Sequence, residues 1–203
     1  VIAGYTAELS PDHTDTLTAK MNLATTLDSK IDAAEIQCLY EEVIEGYTHT
    51  LGVTHCDTLL AMSNLALFLK DLERLPEARV LYEQVIDGYE ATMGPEHTET
   101  LAVKSSLAVV FKKSGETLEA RVLFTEVVAC YKTVLGSAHP DTQRAMGNLA
   151  VVLYDLGQRA KDDGNPHTAA GLFREAAGLW ELQYGAEDAD VLRCRTEAAE
   201  LEQ

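Results

Sequence analysis

The chain repeats itself every 42 residues, and that period constrains its fold more than any single residue. His13-Thr-Asp-Thr-Leu17, His55-Cys-Asp-Thr-Leu59, His97-Thr-Glu-Thr-Leu101 and His139-Pro-Asp-Thr-Gln143 recur at that interval. So do Asn22-Leu-Ala24, Asn64-Leu-Ala66, Ser106-Leu-Ala108 and Asn148-Leu-Ala150. Self-similarity at a fixed period of a few tens of residues marks a solenoid, in which each unit buries its apolar face only against its neighbours. Such a chain is expected to work by offering a long surface to a partner. The repeat gives the class of activity and leaves the partner open.

Each repeat reads as two helices. From His55 onward, Leu59, Met62, Leu65, Ala66 and Leu69 fall at three- and four-residue spacings and form one apolar stripe. Ala78, Leu81, Tyr82, Val85, Ile86 and Tyr89 form a second stripe. Pro76 suits a first helical turn, where its missing N–H costs nothing. Gly94 follows the second stripe, as Gly52, Gly136 and Gly185 do in the other repeats, at the place of a left-handed cap. The expected fold is all-α: antiparallel helix pairs, about ten helices, in one array over residues 1–203.

The boundaries follow from the register. Residues 1–13 are the end of a preceding repeat, because Val1-Ile-Ala-Gly-Tyr5 matches Val43-Ile-Glu-Gly-Tyr47; a first helix is expected at 1–9. Repeats follow at 14–55, 56–97, 98–139 and 140–188, and a partial repeat occupies 189–203. The fourth carries seven extra residues within Gly157–Pro166, which most simply lengthen its first helix. Asn165-Pro166 reads as a cap and first helical residue of the next. Trp180 stands where earlier repeats have Tyr47, Tyr89 and Tyr131. Both ends look cut through an array, so the native protein is expected to continue beyond them.

Chemistry-bearing motifs are missing. There is no phosphate loop, nucleophile elbow, HExxH helix or GxGxxG turn, and the carboxylates lie on solvated helices. No enzymatic activity and no cofactor are expected. His13, His55, His97 and His139 occur once per repeat, so successive ones sit about 10 Å apart by helix-packing distances. Zinc needs its ligands ~2 Å from one centre, so no metal site is expected. The His-x-Asp/Glu-Thr segment is read instead as turn chemistry, with Asp or Thr capping the following helix. Cys38, Cys56, Cys130 and Cys194 form no CxxC pair and read as reduced thiols of a cytoplasmic protein. No apolar run approaches the ~18 residues of a membrane span.

The residues resemble tetratricopeptide repeats, specifically the 42-residue kind of kinesin light chains. The Asn-Leu-Ala motifs, Glu77-Ala-Arg-Val-Leu-Tyr82, Glu119-Ala-Arg-Val-Leu-Phe124 and the Leu135-Gly136…His139-Pro-Asp-Thr142 linker carry the resemblance over essentially the whole chain. Two departures stand out. Lys20, Met62, Lys104 and Met146 replace a tryptophan common in the family, and Ala24, Ala66, Ala108 and Ala150 replace its close-approach glycine. The resemblance implies a right-handed superhelix whose concave wall is built from first helices and holds an extended peptide or helix of a partner. By position, that groove would carry Asn22, Asn64, Ser106 and Asn148, with Lys70, Lys112, Lys113 and Arg144 nearby. An amide offers both a donor and an acceptor, so the Asn series would clamp a peptide backbone or else bond to neighbouring helices.

The formal net charge of −17 disfavours nucleic acid and anionic lipid, both of which need Lys and Arg. The second-helix segments 1–9, 32–51, 76–93, 117–135 and 166–184 carry 14 acidic and 4 basic residues, so the excess lies there. The groove positions are nearly balanced: Lys70, Lys112, Lys113, Arg144 and Arg193 against Asp28, Asp71, Asp155, Glu197 and Glu200. Its middle leans basic. The expectation is a protein or peptide ligand with one or two carboxylates docked across the second and third repeats, its backbone held by Asn64 and Asn148. The chain would then be a scaffold or adaptor part of a larger protein. Two alternatives stay open: a ligand-sensing array of a signalling NTPase, and a structural array that self-associates through its truncated ends.

Overall fold

Why the stripes become helices at these places is visible at the helix starts. In the computed structural model, which describes Ser10, 13–27 and 32–202, nine helices run among the described residues. They are α1 (Thr14–Thr26), α2 (Ala33–Leu51), α3 (Cys56–Asp71), α4 (Leu75–Met93), α5 (Thr98–Lys113), α6 (Thr117–Val134), α7 (Pro140–Asp162), α8 (Pro166–Tyr184) and α9 (Ala189–Glu200). They pack as sequential antiparallel pairs. The expected helix at 1–9 and the candidate Asp28 lie outside the described residues.

The repeated histidine is itself the cap, which corrects the assignment of capping to Asp or Thr. Nδ1 of His13, His55, His97 and His139 accepts the backbone N–H of Asp15, Asp57, Glu99 and Asp141, each at 3.2 Å. One of the first-turn amides that no helix can satisfy internally is thereby bonded. The acidic residue contributes its charge at the positive end of the helix instead. The threonine ties the turn down: Thr58 and Thr100 donate to the carbonyls of Gly52 and Gly94, at 2.8 and 2.9 Å. At α9 an aspartate takes the histidine's place, Asp188 accepting from Asp190 N–H at 2.9 Å. Asn165 does occupy the cap position before α8, but its side chain makes no capping bond.

The chain divides into two compact units, Val1–Val103 and Lys104–Gln203. In the first, Leu17, Val43, Tyr47 and Ala61 form a core against which Met21, Ile44 and Leu51 pack. Glycines set the approach of each pair: a Cβ on Gly46 would lie 2.7 Å from Leu17, and one on Gly88 2.6 Å from Leu59. The close approach that alanine on the first helix does not supply comes from glycine on the second. Lys20, at a tryptophan position of the family, reaches from α1 to Glu42 on α2 at 2.7 Å.

In the second unit Lys104 does the same to Glu126 at 2.6 Å, while Met62 and Met146 at the alternate repeats are buried. The seven-residue excess lengthens α7 to 23 residues, against 16 in α3 and α5. It is not a loop. Gly157 sits so close to Phe173 that a Cβ would be 2.6 Å from the ring, and Lys161 pairs with Glu197 on α9. Tyr154 lies 5.4 Å from Phe173 and 6.2 Å from Trp180, with the Arg193 guanidinium 4.6 Å from its ring centre.

Candidate functional site

The amide ladder of first helices is one residue per repeat. Asn22 on α1 is exposed, and Asn64 on α3 and Asn148 on α7 are half-buried, with Ser106 in the corresponding place on α5. Among the described residues no hydrogen bond engages the carboxamides of Asn22, Asn64 or Asn148. All three keep donor and acceptor capacity at the surface.

In the second unit three of the eight candidate residues come together. Lys112, Lys113 and Asn148 line a hollow of about 260 Å³ between α5 and α7, whose apolar surface is supplied by Val109, Val151 and Phe124. Phe124 is 1% exposed, so its ring is a fixed floor rather than a mobile flap. Lys112 Nζ lies 3.3 Å from an Asp155 carboxylate oxygen, and both side chains reach solvent. A pair so placed holds its charges loosely, because water screens the attraction. Arg144 stands apart from this group, on the first turn of α7, bonded to Asp141 at 2.6 Å. In the first unit Lys70 ends α3 and pairs with Asp71 at 3.2 Å, and nothing brings it against Asn22.

The residue classes missing from the sequence-derived set are the hollow's walls. Val109 and Val151 lie one repeat apart, each three residues after the Ser or Asn of the ladder, and Leu67 holds that place in α3 at 44% exposure. That an aliphatic recurs at this register, three residues beyond the ladder, was the available signal. Phe124 was legible only as core. Asp155 was counted among the acids without its tie to Lys112.

Metal chemistry has little support here. Among the described residues one group has ligand-like spacing, His55, Cys56 and Asp57, whose candidate atoms lie within 4.8 Å of one another. These are consecutive residues on one helical turn, and the His55 Nδ1 is already bonded to Asp57 N–H. The four cysteines are free thiols, with Cys38 and Cys56 exposed. Burial pushes the Cys194 thiol up to about 11, and the Glu42 carboxylate beside Cys38 pushes that thiol up as well. Neither position favours a nucleophilic thiolate. No helix among the described residues is long and apolar enough to cross a membrane.

Helix pairs stacked at a 42-residue period, with ladder residues on the first helices, define an α-helical repeat protein. Residues 57–133 match the tetratricopeptide repeat family, and the chain is structurally similar to kinesin light chain-like arrays of such repeats. It is 26% identical to the nearly identical TPR-like repeats of a "putative kinesin light chain" from Podosopora anserina, with a TM-score of 0.70 over 90% of this chain and 83% of that one. A single-substitution variant of those repeats gives 24% identity and a TM-score of 0.68, over 96% and 88%. BtubC (BKLC) from P. vanneervenii shares the fold at 16% identity and a TM-score of 0.64, over 93% and 80%. No curated protein matches the sequence. Repeats of this family are typically protein–protein interaction modules and usually non-catalytic.

Proposed function

We propose that the chain is a non-catalytic docking module that holds an extended segment or helix of a partner protein against its first-helix face, as the scaffold or adaptor part of a larger protein. The observation that carries this reading is the hollow of the second unit, where an apolar floor, two lysines and an unengaged amide converge. An aliphatic side chain fits against Val109, Val151 and Phe124, and removing it from water supplies roughly 25 cal/mol per Å² buried. A flanking carboxylate takes Lys112 in exchange for Asp155, with Lys113 beside it at the end of α5. The Asn148 carboxamide bonds the segment's backbone whatever its sequence. Ser106 and Arg144 accompany it on the first helices of the second unit, and Asn22, Asn64 and Lys70 hold the corresponding positions on the first helices of the first.

Fluorescence anisotropy with a labelled acetyl-Asp-Ile-Asp-Leu-Asp probe tests the assignment. A charge-assisted hydrogen bond contributes about 1.5–3 kcal/mol, and solvent screening here brings each lysine to the lower end of that range or below it. The Lys112→Ala, Lys113→Ala double variant is therefore expected to bind about tenfold or more weakly at low salt. Unchanged affinity at low salt would show that these lysines are solvated helix ends only.

A further inference from the structure

Away from the ladder, the second helices of the first unit frame another hollow, of about 470 Å³. Leu65 and Leu69 of α3 form its floor, Val80 and Leu81 of α4 one wall, and Glu41 of α2 and Glu77 of α4 its rim. Val80 is 52% exposed, so the wall presents an aliphatic surface to water. The surrounding helices are acidic. Within α2, Glu35, Glu41, Glu42 and Glu45 stand with no Lys or Arg, and within α4, Glu77, Glu83, Asp87 and Glu90 stand against Arg79 alone. Glu41 accepts a bond from the neutral Gln37 amide at 2.7 Å. Arg74 is held by Glu77 and by the Gln37 carbonyl oxygen at 2.6 Å.

The repeat supplies its own control. At the matching register in the second unit the floor persists as Leu149 and Leu153, and Leu81 becomes Leu172. The rim and wall persist one repeat on, as Glu83, Glu119 and Val122, and change two repeats on. Glu41 becomes Thr125, Glu77 becomes Thr168, Val80 becomes Gly171 and Gln37 becomes Arg121, which pairs with Glu175 at 3.4 Å. The helix packing is thus satisfied without carboxylates or an exposed valine at these places.

We propose that this hollow is a second docking surface, and that its occupant is a protein segment carrying an aliphatic side chain between Lys or Arg residues. The aliphatic group covers Val80 above Leu65 and Leu69, one flanking cation meets Glu41, and another takes Glu77 in exchange for Arg74. Charge complementarity selects this occupant over an acidic one, because the carboxylates of α2 and α4 outnumber the cations even with Glu42, Glu77 and Glu83 paired to Lys20, Arg74 and Arg79.

Methyl and amide NMR titration of the chain with acetyl-Lys-Arg-Leu-Arg-Lys-amide tests it. Saturable shifts are expected at Leu65, Leu69 and Val80, with affinity about tenfold above that of the Gly-centred peptide. The Glu41→Lys, Val80→Ala variant changes only exposed side chains and should lose about tenfold or more, and Val80→Ala alone should lose part of that. The Lys112→Ala, Lys113→Ala variant should bind this probe as the wild type does. Equal affinity for the Leu- and Gly-centred peptides, equal affinity for a Glu-flanked one, shifts centred on Val109 and Val151, or a Glu41→Lys, Val80→Ala variant that binds normally would each overturn the proposal.

Discussion

Replacing Gly88 by alanine measures how closely the third and fourth helices approach. A Cβ there would stand 2.6 and 2.9 Å from the two Leu59 methyls and 3.3 Å from Cγ. Carbon pairs prefer roughly 3.5–4.0 Å, so the shortfall is close to an ångström. Leu59 is 2% exposed and cannot swing into water. Overpacking of this kind costs about 1–3 kcal/mol, while Gly to Ala within a helix returns about 1 kcal/mol of propensity. The net expectation for Gly88→Ala is a loss of about 1 kcal/mol. In a Leu59→Ala background the clash is gone, and the same substitution should stabilise by about 1 kcal/mol. The double-mutant cycle therefore carries a coupling of about 2 kcal/mol. Urea unfolding followed by far-ultraviolet circular dichroism gives the midpoints and slopes for all four proteins. If Gly88→Ala stabilises by the full propensity gain, and by the same amount with or without Leu59, the close approach does not exist. Gly46, a Cβ on which would be 2.7 Å from Leu17, should repeat the pattern between the first two helices.

Two further outcomes follow from the caps and the ion pairs. His55→Ala removes the bond to Asp57 N–H and should lower the thermal midpoint by the equivalent of about 1 kcal/mol, with His55→Asn recovering most of it; equal midpoints for all three proteins would remove the histidine from the cap. The Lys20 ammonium holds the Glu42 carboxyl below its ordinary range. A depressed native pKa means the contribution is complete above the usual carboxylate range and is lost as pH falls through the lowered native value. Lys20→Met, which installs the residue found at positions 62 and 146, should flatten the acid side of the stability–pH curve, and an unchanged curve would contradict the pairing.

The period itself carried much of the architecture. Stripes at helical spacing fixed the helix pairs, Gly52 and Gly94 marked their ends, and the seven extra residues were placed correctly as a longer helix, α7. What the sequence concealed depends on geometry that spacing does not encode. Histidine is a weak capping signal by composition, and only the extended backbone at His55 aims its ring nitrogen at the Asp57 amide. The spacing does not reveal the close contacts of Gly46 and Gly88, because their partners, Leu17 and Leu59, lie 29 residues earlier in each case. Lys104 read as a departure from a family pattern until its reach to Glu126 appeared. At the candidate site, Lys112, Lys113 and Asn148 were nameable from their register. Their shared hollow needed the position of Phe124, a residue that every pattern assigns to the core alone.

A nitroxide attached to the acetyl-Asp-Ile-Asp-Leu-Asp probe gives the most direct view of where a partner segment lies in the second unit. Paramagnetic broadening should fall on the Val109 and Val151 methyls and the Asn148 carboxamide, and spare the exposed Val122 on α6. Broadening centred on Val122, with Val109, Asn148 and Val151 unaffected, would contradict the account.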